Sequence, residues 1–433
     1  METMPVSRNP STRTTRMNGR YGLQVDVGGF EALLTDRGRA VLAEAATADT
    51  GEGALLATAT RLRERHPPEL VAAALTQVRL RVRARAKFGA DADRMYFTPA
   101  GLEQATRAVV ADHRAARFAA RLGAGAAVLE LCCGIGADLV ARARAGLPGT
   151  GIERDPLTAA VARANVAALA PAAPASVREG DATAADPAGY AAVFADPGRR
   201  TARGRVFDPR AYEPPLDVVL ALAGRAPAGC VKVAPGLPHE AVPEGAEAEW
   251  ISVGGEVKEA ALWLGGLAGP VARRATLLPG APGGAPATLV PATAEPPPVR
   301  GWGRYLYEPD GAVIRAGLVA EVAAAVDGGL ADPRIAYVTG DALAATPFAA
   351  AYEIEDVLPF SVKRLRGELR RRGTSVLTIK KRGSAVDIER LRRDLGFGGR
   401  RRPGDAEMTV VLTRVGEAPV ALLAQPVSGR NVR

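Results

Sequence analysis

The segment from Val128 to Asp138 constrains the fold more than any other part of this sequence. It reads Val-Leu-Glu-Leu-Cys-Cys-Gly-Ile-Gly-Ala-Asp, and a helix-compatible stretch follows it. An apolar run that ends in two closely spaced glycines predicts a strand, a tight turn and then a helix. Gly134 and Gly136 allow positive φ and let a ligand approach the backbone closely. The free N–H groups at the helix start favour an anionic or dipolar ligand.

Short apolar segments alternate with helical patterns downstream of this turn. Alternation of this kind predicts an α/β fold with a parallel, doubly wound sheet. The last two strands, around Gly254 and Gly255, are expected to form an antiparallel hairpin that closes the sheet. The predicted strands cover residues 126–131, 150–153, 175–178, 191–195, 229–234, 248–253 and 257–264.

Composition and periodicity divide the chain into five parts. A disordered tail precedes a helical N-terminal region, and a Pro/Gly/Ala-rich linker separates the sheet domain from a small α+β C-terminal domain. Two short strands are possible inside the linker. The predicted boundaries are 1–20 for the tail, 21–122 for the helical region, 123–265 for the sheet domain, 266–300 for the linker and 301–425 for the C-terminal domain.

Composition excludes several classes of protein. With 433 residues and 47% hydrophobic content, the chain can bury a large core. It lacks an apolar run near 18 residues and an apolar segment within 1–20, so we expect neither a membrane span nor a secretory signal. Three cysteines do not make a disulfide framework, and none lies at zinc-ligand spacing from a His. A cytoplasmic protein without a bound metal is expected.

Positive charge is concentrated near the C-terminus. Residues 359–414 contain three Lys and thirteen Arg against six acidic residues, whereas the whole chain has a net charge of +9. The remainder of the chain is therefore close to neutral. A basic cluster of this size indicates a polyanionic partner, with nucleic acid as the first candidate.

Acidic residues end the predicted strands at positions suited to a nucleoside-like ligand. Glu153 follows Gly136 by 17 residues, where a carboxylate can bind a ribose hydroxyl pair. The dinucleotide pattern G-x-G-x-x-G fails, because Leu139 stands where its third glycine would be. Glu130, four residues before Gly134, is placed to receive the ammonium of an amino acid moiety. The expected ligand therefore combines a nucleoside with an amino acid.

The motifs Glu130-x-x-x-Gly134-x-Gly136, Glu153 and Gly180-Asp181-Ala182 resemble those of class I S-adenosylmethionine-dependent methyltransferases. The Leu-Cys-Cys-Gly-Ile-Gly version, with Phe97-Thr98-Pro99 upstream, is similar to trimethylguanosine synthase-like enzymes. The resemblance implies a Rossmann-like sheet that binds S-adenosyl-L-methionine. Its glycines would line the methionine part, Glu153 would hold the ribose and Asp181 would accept from the adenine amine. The further cofactor-binding residues it implies are Phe97, Thr98, Cys132, Asp138 and Ala182.

The acceptor motif of amino methyltransferases reads Asp/Asn/Ser-Pro-Pro-aromatic, and here it reads Asp196-Pro-Gly-Arg-Arg200. The resemblance implies that Asp196 and Pro197 are catalytic, with the acid accepting the N–H bonds of the substrate nitrogen. Gly198 replaces the second Pro and Arg199 replaces the aromatic. Arg199 and Arg200 are expected to contact substrate, since a guanidinium can stack on a base or bind a phosphate.

The C-terminal unit resembles the THUMP-like domain that accompanies such methyltransferases in actinobacterial proteins. The matching stretches are Ser361-Val-Lys363, Thr378-Ile-Lys-Lys-Arg-Gly383, Val386-Asp387 and 410–414. Within them, Lys363, Lys380, Lys381 and Arg382 are expected to contact RNA phosphates. The functional hypothesis is methylation of a base nitrogen in structured RNA. A small-molecule or protein methyltransferase, and a catalytically degenerate RNA-binding protein, are the alternatives.

Overall fold

The structure is a computed structural model that describes residues 26–49, 51, 53–198, 200–201, 204–205, 211–281, 283–293, 295–397 and 406–427. The tail predicted for residues 1–20 lies outside these described residues. No helix in the described part of the chain combines the length and the hydropathy needed to cross a membrane.

Six helices form the N-terminal region, as predicted. Pro68 begins the longest of them, and Thr98 caps the short fifth helix by accepting from the Gly101 N–H at 2.9 Å. Both starts are typical of their residue types, because Pro suits a first turn and Thr an N-cap. The helices are α1 (Val27–Leu33), α2 (Asp36–Thr47), α3 (Leu55–Arg63), α4 (Pro68–Phe88), α5 (Pro99–Gln104) and α6 (Ala108–Leu122).

Residues 102–120 do not form one continuous helix, because the chain breaks between α5 and α6. Lys87 of α4 donates to the carbonyl oxygens of Leu102, Glu103 and Ala105 at 2.7–2.9 Å. These bonds satisfy carbonyls at the end of α5, so the helix does not need another turn. The break also brings Thr106 into the interior of the protein.

The central sheet has nine strands and confirms the predicted α/β class. Its strands are β1 (Val128–Leu131), β2 (Gly149–Glu153), β3 (Ala175–Glu179), β4 (Ala192–Ala195), β7 (Ala228–Val233), β8 (Glu247–Val253), β9 (Glu256–Gly265), β10 (Arg273–Leu278) and β11 (Ala287–Leu289). Two short strands, β5 (Arg200–Thr201) and β6 (Gly204–Arg205), pair only with each other. The helices of this part are α7 (Ala137–Arg144), α8 (Pro156–Leu169) and α9 (Leu216–Ala223).

The strand order is β11-β10-β8-β9-β7-β4-β1-β2-β3. From β7 to β3 all neighbours are parallel, and the β8–β9 hairpin adds an antiparallel strand beside β7. Leu129 and Leu131 face a core that contains α9, whereas Val128 packs with Phe118 of α6 on the opposite face. Helices on both faces bury both sides of the parallel strands, which explains their continuous apolar sequences.

The segment expected to be a linker contributes two strands to this sheet. β10 lies parallel to β8, and β11 pairs antiparallel with β10 at the sheet edge. The rest of the segment is irregular, in keeping with its many Pro and Gly residues.

The C-terminal unit is built on a seven-stranded mixed sheet of order β13-β14-β12-β15-β18-β17-β16. Its strands are β12 (Tyr305–Pro309), β13 (Gly329–Leu330), β14 (Val338–Gly340), β15 (Ala349–Pro359), β16 (Val376–Lys381), β17 (Glu407–Val415) and β18 (Ala418–Pro426). Its helices are α10 (Gly311–Arg315), α11 (Val319–Ala325), α12 (Val362–Arg371) and α13 (Ile388–Leu395). α11 begins at Val319 and is separate from α10, because Gly317 takes φ +68° between them.

The two sheets share a hydrophobic core. Ala312, Val313 and Val322 of α10 and α11 are buried in the same cluster as Trp250 and Leu262 of the nine-stranded sheet. The C-terminal unit therefore packs directly on the β8–β10 part of the first sheet.

Candidate active site

A cavity of about 1280 Å³ opens where the parallel strands end. The ends of β1, β2, β3 and β4 contribute to its wall, and so do α5 and the residues after it. In an open α/β sheet this edge is the usual place for a ligand. Nine of the ten residues predicted to bind the cofactor line it, namely Phe97, Thr98, Glu130, Cys132, Gly134, Asp138, Glu153, Asp181 and Ala182.

The glycine turn shapes one side of this cavity. Cys132, Gly134 and Gly136 take φ values of +60°, +54° and +81°, and Gly136 is the N-cap of α7. A Cβ added at Gly134 would meet no atom within 4 Å, so open space lies over this residue. Gly136 does not line the cavity; a Cβ there would instead touch Ala162 at 3.4 Å. Gly134 thus leaves space for a ligand, and Gly136 supplies the left-handed backbone at the start of α7.

Glu153 ties the end of β2 to the glycine turn. Its carboxylate accepts from the Gly134 N–H and from the Asp155 N–H, each at 3.0 Å. Two backbone bonds hold the side chain in one orientation while it lines the cavity. A carboxylate oxygen can accept more than one hydrogen bond, so Glu153 keeps capacity for a ligand hydroxyl.

Asp181 follows β3 and is exposed, with Ala182 buried beside it. One carboxylate oxygen accepts from the N–H and the hydroxyl of Thr183, both at 2.8 Å. These bonds hold the pKa of Asp181 below its usual value. The group is therefore an ionised acceptor at neutral pH.

Glu130 is 1% exposed and forms an ion pair with Arg142 of α7. The guanidinium of Arg142 also stacks over Phe194, 4.9 Å from the ring centroid. Burial raises the pKa of Glu130 to about 7, although Arg142 opposes this change. The carboxylate expected to receive a ligand ammonium thus already has a cationic partner inside the protein.

Asp138 offers a second carboxylate to an ammonium group. It is 5% exposed, lines the cavity, and its Oδ1 has no hydrogen-bond partner among the described residues. Arg114 approaches this oxygen to 3.4 Å. Burial opposes ionisation, but Arg114, Lys232 and Arg142 outweigh it and keep the pKa of Asp138 below its usual value. A buried, charged acceptor at the helix start fits a cationic ligand group.

Phe97 and Thr98 lie in a rigid wall opposite the glycine turn. Gln77 of α4 bonds both the N–H and the carbonyl of Phe97, at 2.9 and 2.8 Å. Asn165 of α8 does the same for Tyr96 and also donates to the Ile135 carbonyl at 2.8 Å. These amide side chains were not identified from the sequence, because an Asn or Gln inside an apolar helix gives no local sign of its partner.

Asp196 and Pro197 line the cavity directly after β4. The backbone of Gly198 exchanges two hydrogen bonds with Glu213, at 2.8 and 2.9 Å, so the motif continues as an extended segment. Arg199 lies outside the described residues. Arg200 begins β5, and only its backbone is described.

A buried lysine that was not predicted as a site residue lies beside Asp196. Lys232 of β7 is 4% exposed; its ammonium donates to Asp196 at 2.7 Å and to the Thr106 hydroxyl at 3.0 Å. Glu259 lies 3.9 Å away and pairs with the fully buried Arg114. The available signal was a Lys inside the apolar strand Ala228–Val233, in a chain with only six Lys.

The four basic residues expected to bind RNA lie outside the cavity wall. Three of them have partners within the protein: Lys380 pairs with Glu308 at 2.6 Å, Lys381 donates to the Val386 carbonyl at 2.8 Å, and Arg382 donates to the Ala336 carbonyl at 3.2 Å. Lys363 is exposed on α12, beside Arg364 in a shallow groove. The described residues contain no group of three or more His, Cys, Asp or Glu side chains able to hold a metal ion.

Known proteins resemble this chain over most of its length. Two relatives, from the CDC 1551 and H37Rv strains of Mycobacterium tuberculosis, are each 36% identical over 352 residues, 78% of this chain and 91% of the relative. Both are named uncharacterised S-adenosylmethionine-dependent methyltransferases. A crystal structure from Porphyromonas gingivalis W83, provisionally named a methyltransferase, matches with a TM-score of 0.69. It is 22% identical and covers 90% of this chain and 98% of its own, a likeness of fold.

Two families match parts of the chain. One is described as a domain of unknown function (DUF8688) and covers residues 26–84. The other is described as THUMP domain-like and covers residues 349–426, which confirms the expected class of the C-terminal unit.

Proposed function

The chain belongs to the S-adenosylmethionine-dependent methyltransferases, and we propose that it methylates a base nitrogen in a structured RNA. S-adenosyl-L-methionine, when bound, supplies a methyl group that its sulfonium already activates. The residues of this chain then have two tasks, to hold the donor and to orient the accepting nitrogen.

Four groups around the glycine turn would hold the cofactor. The open space over Gly134 fits the methionine part, and Glu153, already oriented by two backbone N–H groups, fits the ribose hydroxyls. Asp181 is an ionised acceptor for the adenine amine. Asp138 supplies a buried carboxylate in the cavity wall that could accept from an ammonium group. Buried acceptors of this kind favour a cationic ligand.

The position of Asp196 carries the proposal for the acceptor. This carboxylate follows β4 and lines the same cavity as Glu153 and Asp138. An ionised carboxylate can only accept hydrogen bonds, so it selects a nitrogen that carries hydrogen. By accepting an N–H bond, Asp196 would direct the nitrogen lone pair toward the methyl group. Exocyclic amino groups of bases meet this requirement.

The proposed reaction needs orientation more than acid–base chemistry. In-line positioning of two reactants can supply most of the rate when the leaving group is already activated. Pro197 is buried and restricts the backbone beside Asp196. The two residues together would fix the direction from which the nitrogen approaches.

The C-terminal unit supports RNA as the substrate. It matches a family described as THUMP domain-like, and its helices α12 and α13 are strongly basic. Their apolar sides, with Leu365, Leu369 and Leu391, are buried against the seven-stranded sheet. Four exposed cations on them lack an ion-pair partner in the described part of the chain: Lys363, Arg364, Arg370 and Arg393. Uncompensated cations at a surface attract a phosphate backbone.

Methyl transfer from radiolabelled S-adenosylmethionine tests the proposal. The full-length protein is incubated separately with total RNA, total protein and a small-molecule extract. We expect label in RNA, and nuclease digestion with chromatography should place it on an exocyclic base nitrogen. Label confined to protein or small molecules would refute the RNA assignment. Cofactor binding without transfer to any of the three would indicate a degenerate enzyme.

A further inference from the structure

The acceptor end of the cavity holds a cluster of buried charges that the cofactor does not explain. Lys232 lies at its centre, on β7, the strand next to β4. Its ammonium has three oxygen neighbours: Asp196 at 2.7 Å, Thr106 at 3.0 Å and Glu259 at 3.9 Å. Each comes from a different part of the chain. Lys232 therefore joins the acceptor strand, the segment after α5 and the β9 strand.

The surroundings keep this lysine charged. Burial opposes the charge, but Asp196, Glu259 and Asp138 outweigh it and raise the pKa of Lys232 above its usual value. A protonated lysine cannot act as a general base. Its ammonium has no free pair of electrons, so its role beside Asp196 is to donate hydrogen bonds.

The ammonium contacts only one oxygen of the Asp196 carboxylate. Lys232 bonds Oδ2, which leaves Oδ1 for another donor. The Asp196 side chain is 25% exposed, whereas that of Lys232 is 5% exposed. The exposed part of the carboxylate belongs to the cavity wall. One oxygen is thus anchored inside the protein while the other can receive a substrate N–H.

We propose that Lys232 is a positioning residue, which holds Asp196 as an ionised acceptor with one oxygen directed to the substrate nitrogen. This inference rests on the proposed function, because Lys232 is inferred to act on the substrate only through Asp196. It also explains why a costly buried cation lies at this point. Without this bond the Asp196 carboxylate could rotate about its broad χ2 torsion, and neither oxygen would be fixed toward the substrate nitrogen.

Other charged groups surround the Lys232–Asp196 pair. Glu259 of β9, Asp138 of α7 and Glu130 of β1 are negative neighbours, and Arg114 of α6 is the other cation. Without Lys232, Arg114 would face Asp196, Glu259 and Asp138 alone. Asp196 is the most exposed of these three carboxylates, so it is the best placed to meet a substrate.

The test compares the kinetics of RNA methylation in the full-length protein and in Lys232→Met. We expect kcat/KM to fall by about 10²-fold, since misorientation of one reacting group has a cost of this order. The loss should appear in kcat and not in S-adenosylmethionine binding, because Lys232 orients the acceptor carboxylate. Lys232→Arg keeps a hydrogen-bond-donating cation and should recover part of the lost kcat.

Lys258→Met is the matched control. Lys258 lines the same cavity but pairs with Glu256 instead of Asp196. We expect a much smaller loss of kcat in this variant. A Lys232→Met enzyme with lower thermal stability and a wild-type kcat would make Lys232 a structural residue and overturn the inference.

A second comparison covers the case in which Lys232→Met fails to fold. Adding Lys232→Met to Asp196→Asn removes both members of the pair, and Glu259 keeps Arg114 as its cationic partner. If Lys232 acts through Asp196, the double variant should be no less active than Asp196→Asn alone. A further loss of similar size would refute the inference. Wild-type protein that labels no RNA would instead refute the proposed function, so the two failures are distinguishable.

Discussion

Two basic regions of this protein differ in a way that their sequences do not reveal. The run Lys380–Arg382 lies in a dense basic stretch, yet its three side chains bond Glu308, Val386 and Ala336 within the C-terminal unit. Lys232 is isolated in an apolar strand, yet it lines the cavity and contacts Asp196. The side chains of the Lys380–Arg382 run are bonded within the protein, whereas the isolated Lys232 lies at the candidate site.

The difference shows that charge density in a sequence does not measure charge that is available to a ligand. A cation on a strand end can be used to tie loops together, as Arg382 is. A cation buried inside a sheet needs charged or hydrogen-bonding partners, because burial of a charge is costly without them. Isolated charges in apolar strands are therefore the more informative sign of a site.

Asp196→Asn should give the largest effect among the variants that test this comparison. The amide keeps the shape but loses the charge, so we expect kcat to fall by about 10²–10³-fold. Calorimetry should show unchanged S-adenosylmethionine binding. Asp217→Asn, on the exposed side of α9, is the control and should retain full activity. Normal turnover by Asp196→Asn would exclude the carboxylate from the reaction.

A buried charge outside the cavity should control stability instead of turnover. Glu249 is fully buried and accepts from Trp263 at 2.8 Å and from Thr276 at 2.5 Å, with His113 at 2.9 Å. Burial opposes its ionisation, but these bonds lower the pKa of Glu249 from 4.5 to about 2. Because the folded-state pKa is depressed, its contribution is present above pH 4.5 and is lost as pH falls toward 2.

We expect this carboxylate to contribute about 3 kcal/mol to the free energy of unfolding at neutral pH. Urea denaturation of Glu249→Gln at several pH values should show a flatter stability profile between pH 4.5 and 2. Glu240→Gln, an exposed residue, should keep the wild-type profile. If Glu249→Gln kept the wild-type dependence of stability on pH, the pair with His113 would make no contribution to the free energy of unfolding.

Glu153→Ala tests the cofactor end of the cavity. Removal of a charged acceptor should weaken S-adenosylmethionine binding by about 10–100-fold, which calorimetry would detect. Glu179→Ala is the matched control, since Glu179 pairs with Glu153 in register but is exposed and lies outside the cavity wall. Equal affinities of Glu153→Ala and wild type for S-adenosylmethionine would refute the assignment of Glu153 to the ribose hydroxyls.

The smallest effect is expected at the surface of the C-terminal unit. Alanine at Lys363, Arg364, Arg370 and Arg393 should weaken RNA binding and lower the steepness of its salt dependence by about one for each phosphate that is no longer neutralised. Alanine at Lys380, Lys381 and Arg382 should affect RNA binding less and thermal stability more. Filter binding across a salt series separates the two variants. The reverse result would return the RNA-binding role to the Lys380–Arg382 run.

Much of the fold was predictable because it depends on local patterns. The glycine turn, the proline starts of α4, α5 and α8, and the chain positions of β1–β4 and β7–β9 follow from periodicity and turn chemistry. The break after Gln104 was not predictable, since it depends on Lys87, which lies 15 residues or more away in the chain. The two strands β10 and β11 likewise need partners that sequence composition does not show.

The sequence by itself determined the cofactor class, because the glycines and the acids that follow β1, β2 and β3 lie at spacings which one kind of strand–turn–helix unit imposes. It also determined that the C-terminal unit is basic. The tertiary structure alone decided which charges are free and which are compensated. Partners such as Lys232 and Asp196, or Lys380 and Glu308, are 36 and 72 residues apart. An electrostatic interaction depends on distance and burial in space, and neither is written in the order of the residues.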